Sequence, residues 1–259
     1  MLPHAATIYL TNHCYLKCRH CFLLPQLNTT QLDYYTVLKF LDFLKLNKTF
    51  MVAYTGGDCL LHPEIFKIIE ETKNRNMMPL LGASGISITQ QIAKKIYSSG
   101  VRCVQVSIDG SCEEVNSIFR GQNTLNEIIE SVKIMQQQGI FVNIATCLCV
   151  ENFHDYKNII NLCYELNAYK IKLQMWNPFG KVNKFITTLN KRQKEEIYTF
   201  SKEFEKKHAL ENWIDSAGFN SELSKIHNSS YELFPNGDLN IGNSYIGNIN
   251  NENIYELMS

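Results

Sequence analysis

The chain alternates short apolar runs with longer stretches whose apolar positions recur every three or four residues. The short runs predict strands over residues 7–10, 50–54, 78–81, 101–108, 140–150 and 168–175. The longer stretches predict helices over 30–46, 63–74, 89–98, 125–138 and 152–166. Pro63 suits the first turn of its helix, Asn152 followed by Asp155 offers a cap, and Gly139 suits a helix end. Strands that alternate with helices imply parallel βαβ units, so the choice lies between an open doubly wound sheet and a partial barrel.

Individual strand faces separate these two. Over 101–109 one face carries Val104, Val106 and Ile108 after Arg102, and the other carries Cys103, Gln105, Ser107 and Asp109. Over 142–150 one face is Val142, Ile144, Thr146, Leu148 and Val150, and the other is Asn143, Ala145, Cys147 and Cys149. A strand covered by helices on both sides should be apolar on both faces. The expected fold class is therefore α/β, a partial (β/α)6 TIM-like barrel with a polar lumen and its function at the carboxyl ends of the strands. After Met175 the pattern changes. A turn is expected at Asn177-Pro178-Phe179-Gly180, a charged amphipathic helix over 190–208, and a hairpin at Pro235-Asn236-Gly237-Asp238. The expected organisation is a core over 1–208 with a small appendage over 209–259.

Charge narrows the function classes. The 25 Lys and Arg residues balance 25 Asp and Glu residues in the 259-residue chain. A net charge of zero argues against electrostatic capture of nucleic acid or of an anionic membrane. No apolar run approaches the roughly 20 residues of a membrane span, and the first residues lack the basic and apolar regions of a signal peptide. The nine cysteines are an odd count, and all lie within the first 163 residues. That distribution speaks against a disulfide framework and for a reduced, cytoplasmic setting with metal-binding thiols.

Three cysteines fall within eight residues, in Thr11-Asn12-His13-Cys14-Tyr15-Leu16-Lys17-Cys18-Arg19-His20-Cys21-Phe22. Three thiolates on one loop can hold three irons of a 4Fe–4S cluster and leave the fourth iron open. With His13 or His20 as a fourth ligand, the same residues make a zinc site.

The Cys14–Cys18–Cys21 spacing, directly after the first strand, resembles the signature of the radical S-adenosylmethionine (SAM) superfamily, with His20 where an aromatic residue often precedes the third cysteine. Tyr54-Thr55-Gly56-Gly57-Asp58 resembles that family's Gly-Gly-Glu segment, with Asp58 in place of Glu. Val106-Ser107-Ile108-Asp109-Gly110 and Phe119-Arg120-Gly121 resemble segments of its peptide-modifying subgroup, as does Asn177-Pro178-Phe179-Gly180-Lys181. The tail segments Asp215-Ser216-Ala217-Gly218, 234–242 and Ile246-Gly247-Asn248-Ile249 resemble the SPASM extension of peptide and protein maturases. Asp215 and Gly242 stand where auxiliary-cluster cysteines would be.

The resemblance implies one 4Fe–4S cluster on Cys14, Cys18 and Cys21. It implies SAM held by Gly56, Gly57, Asp58, Ser107, Asp109, Arg120 and His20, with Gln174 of the sixth strand facing the adenosine or the substrate. An external one-electron reductant of flavodoxin or ferredoxin type would serve the cluster, and SAM cleavage would yield a 5′-deoxyadenosyl radical. Cys112, Cys147 and Cys149 are candidate hydrogen-atom donors to a substrate radical. Three readings follow: a maturase that epimerises or crosslinks a ribosomally made peptide; a radical SAM enzyme acting on a sugar, nucleotide or amino acid; and a metal-bearing binding module without turnover.

Overall fold

The structure is a computed structural model that describes residues 3–23, 27–177, 186–220, 230–242 and 244–257. Six parallel strands run in chain order: β1 (Ala5–Thr11), β2 (Met51–Gly56), β3 (Met78–Gly82), β4 (Cys103–Ser107), β5 (Phe141–Leu148) and β6 (Lys170–Met175). The helices between them are α1 (Tyr34–Leu46), α2 (Ile65–Asn74), α3 (Gln90–Ser99), α4 (Glu113–Arg120), α5 (Leu125–Gln137), α6 (Val150–Phe153) and α7 (Tyr156–Glu165). The final segment adds α8 (Lys191–Lys207), β7 (Ile214–Asp215), β8 (Tyr231–Leu233), β9 (Asp238–Ile241), β10 (Ser244–Asn248) and α9 (Ile254–Leu257). Among the described residues the strands form one sheet of ten, in the order β10-β9-β8-β1-β2-β3-β4-β5-β6-β7. This is the expected α/β partial barrel.

The face assignments read from the sequence hold. Val104, Val106 and Ile108 of one face are fully buried, as are Ile144 and Thr146 on the next strand, while Cys103, Gln105 and Ser107 are half-buried on the other face. The apolar face packs under helices such as α1, whose Val37, Phe40, Leu41 and Leu44 join the core. Local signals set helix ends: Asp33 and Thr89 cap α1 and α3 through their side chains, and Gly139 takes φ +79° just past α5.

Three features differ from the sequence expectation. The stretch 113–120 forms helix α4, which carries Arg120. The helix expected over 152–166 is split at His154 and Asp155 into α6 and α7, because Asp155 turns back to accept from Ser111 N–H and Oγ, each at 2.6 Å. The residues after α8 supply strands to both edges of the barrel sheet, β7 beside β6 and β8 beside β1. The expected hairpin forms between β8 and β9, with Gly237 at φ +90°. The turn expected at 177–181 lies almost wholly outside the described residues. No helix among the described residues is long and apolar enough to cross a membrane.

Candidate active site

Strand β1 leaves the sheet at Thr11 and enters the loop that carries the three cysteines. Asn12 fixes the start of that loop. Its buried side chain donates to Thr29 Oγ1 and Thr30 Oγ1 and accepts from the backbone N–H groups of the same two residues, at 2.9–3.0 Å. Asn28, at φ +61°, accepts from Cys14 N–H at 3.1 Å. Farther along, Arg19 N–H donates to Phe119 O at 2.8 Å and ties the loop to the end of α4.

The Gly56-Gly57 pair packs against this loop from β2. Gly57 N–H donates to Thr11 O and Asp58 N–H to His13 O, both at 2.7 Å. A Cβ on Gly56, which sits at φ +137°, would lie 2.1 Å from Thr11 O, and one on Gly57 would lie 2.2 Å from His13 O. Glycine is required here by the cysteine loop's own backbone. Asp58 is fully buried and its carboxylate is engaged: it accepts from Leu60 N–H at 3.0 Å and from Ser84 N–H and Oγ.

A charged cluster lies beneath the loop. Asp109, fully buried, has Oδ2 2.6 Å from Arg120 Nε and 3.5 Å from His20 Nε2. Its Oδ1 accepts from Cys147 N–H at 2.8 Å, and its own N–H donates to Asn116 Oδ1 at 3.0 Å. Asn152 donates to the carbonyls of Asp109 and Cys147 at 3.0 Å. Arg120 Nη1 reaches 4.0 Å from Cys18 Sγ. Burial pushes the Cys18 thiol up to about 12, against the pull of the Arg120 charge, and also raises Cys14. Burial lowers His20, with Asp109 opposing.

These elements enclose one cavity of about 650 Å³. Cys14, Cys18 and Cys21 share its wall with His20, Gly56, Gly57, Ser107, Arg120 and Gln174. Asp58 and Asp109 stand behind the wall. The three proposed hydrogen donors are not on it. Cys112 is exposed at the start of α4; Cys149 is buried beside Phe119 and Ile186 with its thiol on Asn152 Oδ1 at 3.5 Å; Cys147 lies next to Asp109. Cys103, on the face of β4 read from the sequence as the polar one, lines the cavity with Gln105 and Ser107. Sequence reasoning also missed Asn12, Asn28, Ser84 and Asn116 as braces. Only the Asn28 turn carries a local signal, since Asn tolerates a positive φ.

The donor set fits a cluster better than one ion. A zinc ion needs its ligands converged at about 2.0–2.3 Å from one point. Among the described residues no three His, Cys, Asp or Glu side chains are so grouped, and His20 Nε2 faces Asp109. A 4Fe–4S cubane takes each thiolate on a different iron, which suits three cysteines spaced along one cavity wall. His20 Nδ1 is buried without a hydrogen-bond partner, while Asp109 Oδ2 and Arg120 Nε face each other as a buried ion pair at 2.6 Å. A buried ring nitrogen left unpaired beside the thiols suits a polar ligand at the open iron.

Residues 8–163 match the model of the Radical SAM superfamily, and the chain belongs to that superfamily. It is 23% identical over 175 residues to an AdoMet-dependent heme synthase of Nitratidesulfovibrio vulgaris, covering 66% of this chain and 48% of that protein. It is 25% identical over 186 residues to the antilisterial bacteriocin subtilosin biosynthesis protein AlbA of Bacillus subtilis, covering 70% and 41%. Its fold is similar to that of Streptococcus suis SuiB, solved bound to the precursor peptide SuiA, with a TM-score of 0.82 and 14% identity over 99% of this chain and 64% of that one. That likeness extends through the C-terminal strands. The chain spans about half the length of the curated relatives it matches.

Proposed function

We propose that the protein is a radical SAM enzyme that takes hydrogen from a ribosomally made peptide, leading to epimerisation or crosslinking. The observation that carries this reading is the shared cavity wall of Cys14, Cys18, Cys21, Gly56, Gly57 and Arg120 at the carboxyl ends of the strands. A 4Fe–4S cluster on the three cysteines, reduced by an external one-electron donor of flavodoxin or ferredoxin type, would supply the electron that cleaves SAM to a 5′-deoxyadenosyl radical. The chain's own groups bind and orient. Arg120 offers a cation to the SAM carboxylate, and Ser107 and Gln174 offer a hydroxyl and an amide on the cavity wall. Asp109 holds Arg120 in place. The likeness to AlbA and to SuiB with its precursor peptide supports a peptide substrate.

The heme synthase relatives support a second reading, action on a small molecule. Anaerobic reconstitution with iron and sulfide, followed by reduction with SAM, tests the core of the proposal. Formation of 5′-deoxyadenosine is expected; a reconstituted protein that never cleaves SAM would sink it. Mass analysis of peptides encoded beside this gene, after incubation with the reduced enzyme, separates the peptide reading from the small-molecule one.

A further inference from the structure

Two charged side chains on the cavity wall have no partner of opposite charge in ion-pair contact among the described residues. Glu232 stands on β8, in register with Thr7 of β1. Lys172 stands on β6, in register with Ala145 of β5. The five strands β1 to β5 separate β8 from β6 in the sheet, yet both residues line one cavity, so the two charges reach it from different strands. Tyr9 of β1 feels the Glu232 charge, and Asn240 of β9 is its register partner. Asp215 of β7 is opposite Lys172 in register without forming an ion pair.

Between the two charges lie amide side chains. Gln105 and Asn143 are register partners on β4 and β5, and both line the cavity. Asn143 Oδ1 is buried and accepts no hydrogen bond. A half-buried carboxylate without a cation and a buried acceptor without a donor both favour a ligand that supplies what is missing. Burial raises the Glu232 carboxyl, and a cation beside it would reverse that.

Building on the peptide reading above, we propose that the lumen selects a peptide segment carrying one cationic side chain, seated at Glu232, and one anionic group, seated at Lys172. Gln105 and Asn143 bond the peptide backbone between them. Charges of opposite sign at two places on the lining also fix the direction in which the segment lies. A polyanionic small molecule would be drawn to Lys172 and repelled by Glu232.

The test uses the reconstituted protein with SAM and glycine-based hexapeptides, acetylated and amidated at their ends. Their second and fifth positions carry Lys and Glu, Lys and Gln, Gln and Glu, Gln and Gln, or Glu and Glu. Binding is ranked by ligand-observed NMR competition. The Lys/Glu peptide is expected to bind tightest, with each charge contributing about fivefold over Gln, as for a partly exposed ion pair. E232Q should erase the preference for Lys and keep that for Glu, and K172Q should do the reverse. E232K should make the Glu/Glu peptide the tightest, a gain that misfolding cannot produce. Equal binding of all five peptides, binding of none, tightest wild-type binding of Glu/Glu, or an unchanged ranking in E232Q and E232K overturns the proposal. Formation of 5′-deoxyadenosine from SAM alone is read in parallel, so failure of the radical chemistry is distinguished from failure of the charge selection.

Discussion

Arg120 and Asp109 form a buried ion pair, Nε to Oδ2 at 2.6 Å, and the same guanidinium reaches 4.0 Å from the Cys18 sulfur. One cation thus serves two anionic partners once Cys18 ionises. The pair joins α4, the segment after β4 and the cysteine loop, three pieces of chain far apart in sequence.

Removing Arg120 should be costly, because it leaves Asp109 charged, fully buried and facing a neutral His20. R120Q is expected to lose about 3–5 kcal/mol of stability, measured by urea unfolding, and to retain less iron after reconstitution. The double variant R120M/D109L should recover part of the stability and none of the iron retention. A loss below about 1 kcal/mol in R120Q would place the pair among weak surface contacts.

Gly57→Ala tests the contact between β2 and the cysteine loop. The new methyl group would lie 2.2 Å from His13 O, and backbone cannot yield as a side-chain tip can. The expected outcome is a loop displaced from Asp58, seen as reduced iron content with the far-ultraviolet spectrum preserved. Full iron loading in G57A would show that the loop does not depend on this contact.

The βα alternation, the lumen face of β4 and the cysteine loop were legible because each depends on local spacing. Helix α4 was not, because its eight residues hold only three apolar ones. The strand-face rule brought Cys147 and Cys149 toward the lumen, but β5 ends at Leu148, so Cys149 caps α6 and alternation no longer applies. Asp109 likewise lies past the end of β4, where its carboxylate turns under the loop. The pairing of β8 with β1 joins residues more than 200 positions apart, and periodicity carries no information about such partners. For the same reason Glu232 drew no notice in the sequence: nothing local sets it against the lumen.

Asp33 offers a pH test away from the site. Its side chain caps α1 by accepting from Thr36 N–H at 3.0 Å and from the Thr36 hydroxyl. Burial opposes the charge and is the largest single influence, but the hydrogen bonds from Thr36 and neighbouring backbone N–H groups together prevail and hold the carboxyl below 3.8. A depressed folded-state value means that the unfolded chain binds the proton more readily. The contribution is therefore complete above about 3.8 and is lost as pH falls through the lower folded value. D33A should cost about 1 kcal/mol at neutral pH, and its difference from wild type should shrink in acid. A difference independent of pH down to about 2 would show that the carboxylate charge plays no part.

The tail raises the last prediction, whether residues 1–208 stand alone. Strand β8 covers the edge of β1, and its Tyr231 and Leu233 are fully buried in the main core with Leu239 of β9. Tyr231 also meets the rings of Phe40 and Phe43 of α1. Tyr9 stacks on Phe234 at 4.7 Å and meets Phe22, the residue after Cys21, edge-on at 5.8 Å, so the tail also supports the end of the cysteine loop. Truncation after His208 would bare the edge of β1 and the apolar face of α1, and exposed edges pair with other chains. The truncated protein is expected to aggregate or bind an apolar dye, whereas F234A, which removes one stacked ring worth about 0.5–1.5 kcal/mol, should fold and release iron faster in air. A soluble, cooperatively melting 1–208 fragment would instead establish the tail as a separable unit and confine its role to the loop and the lumen.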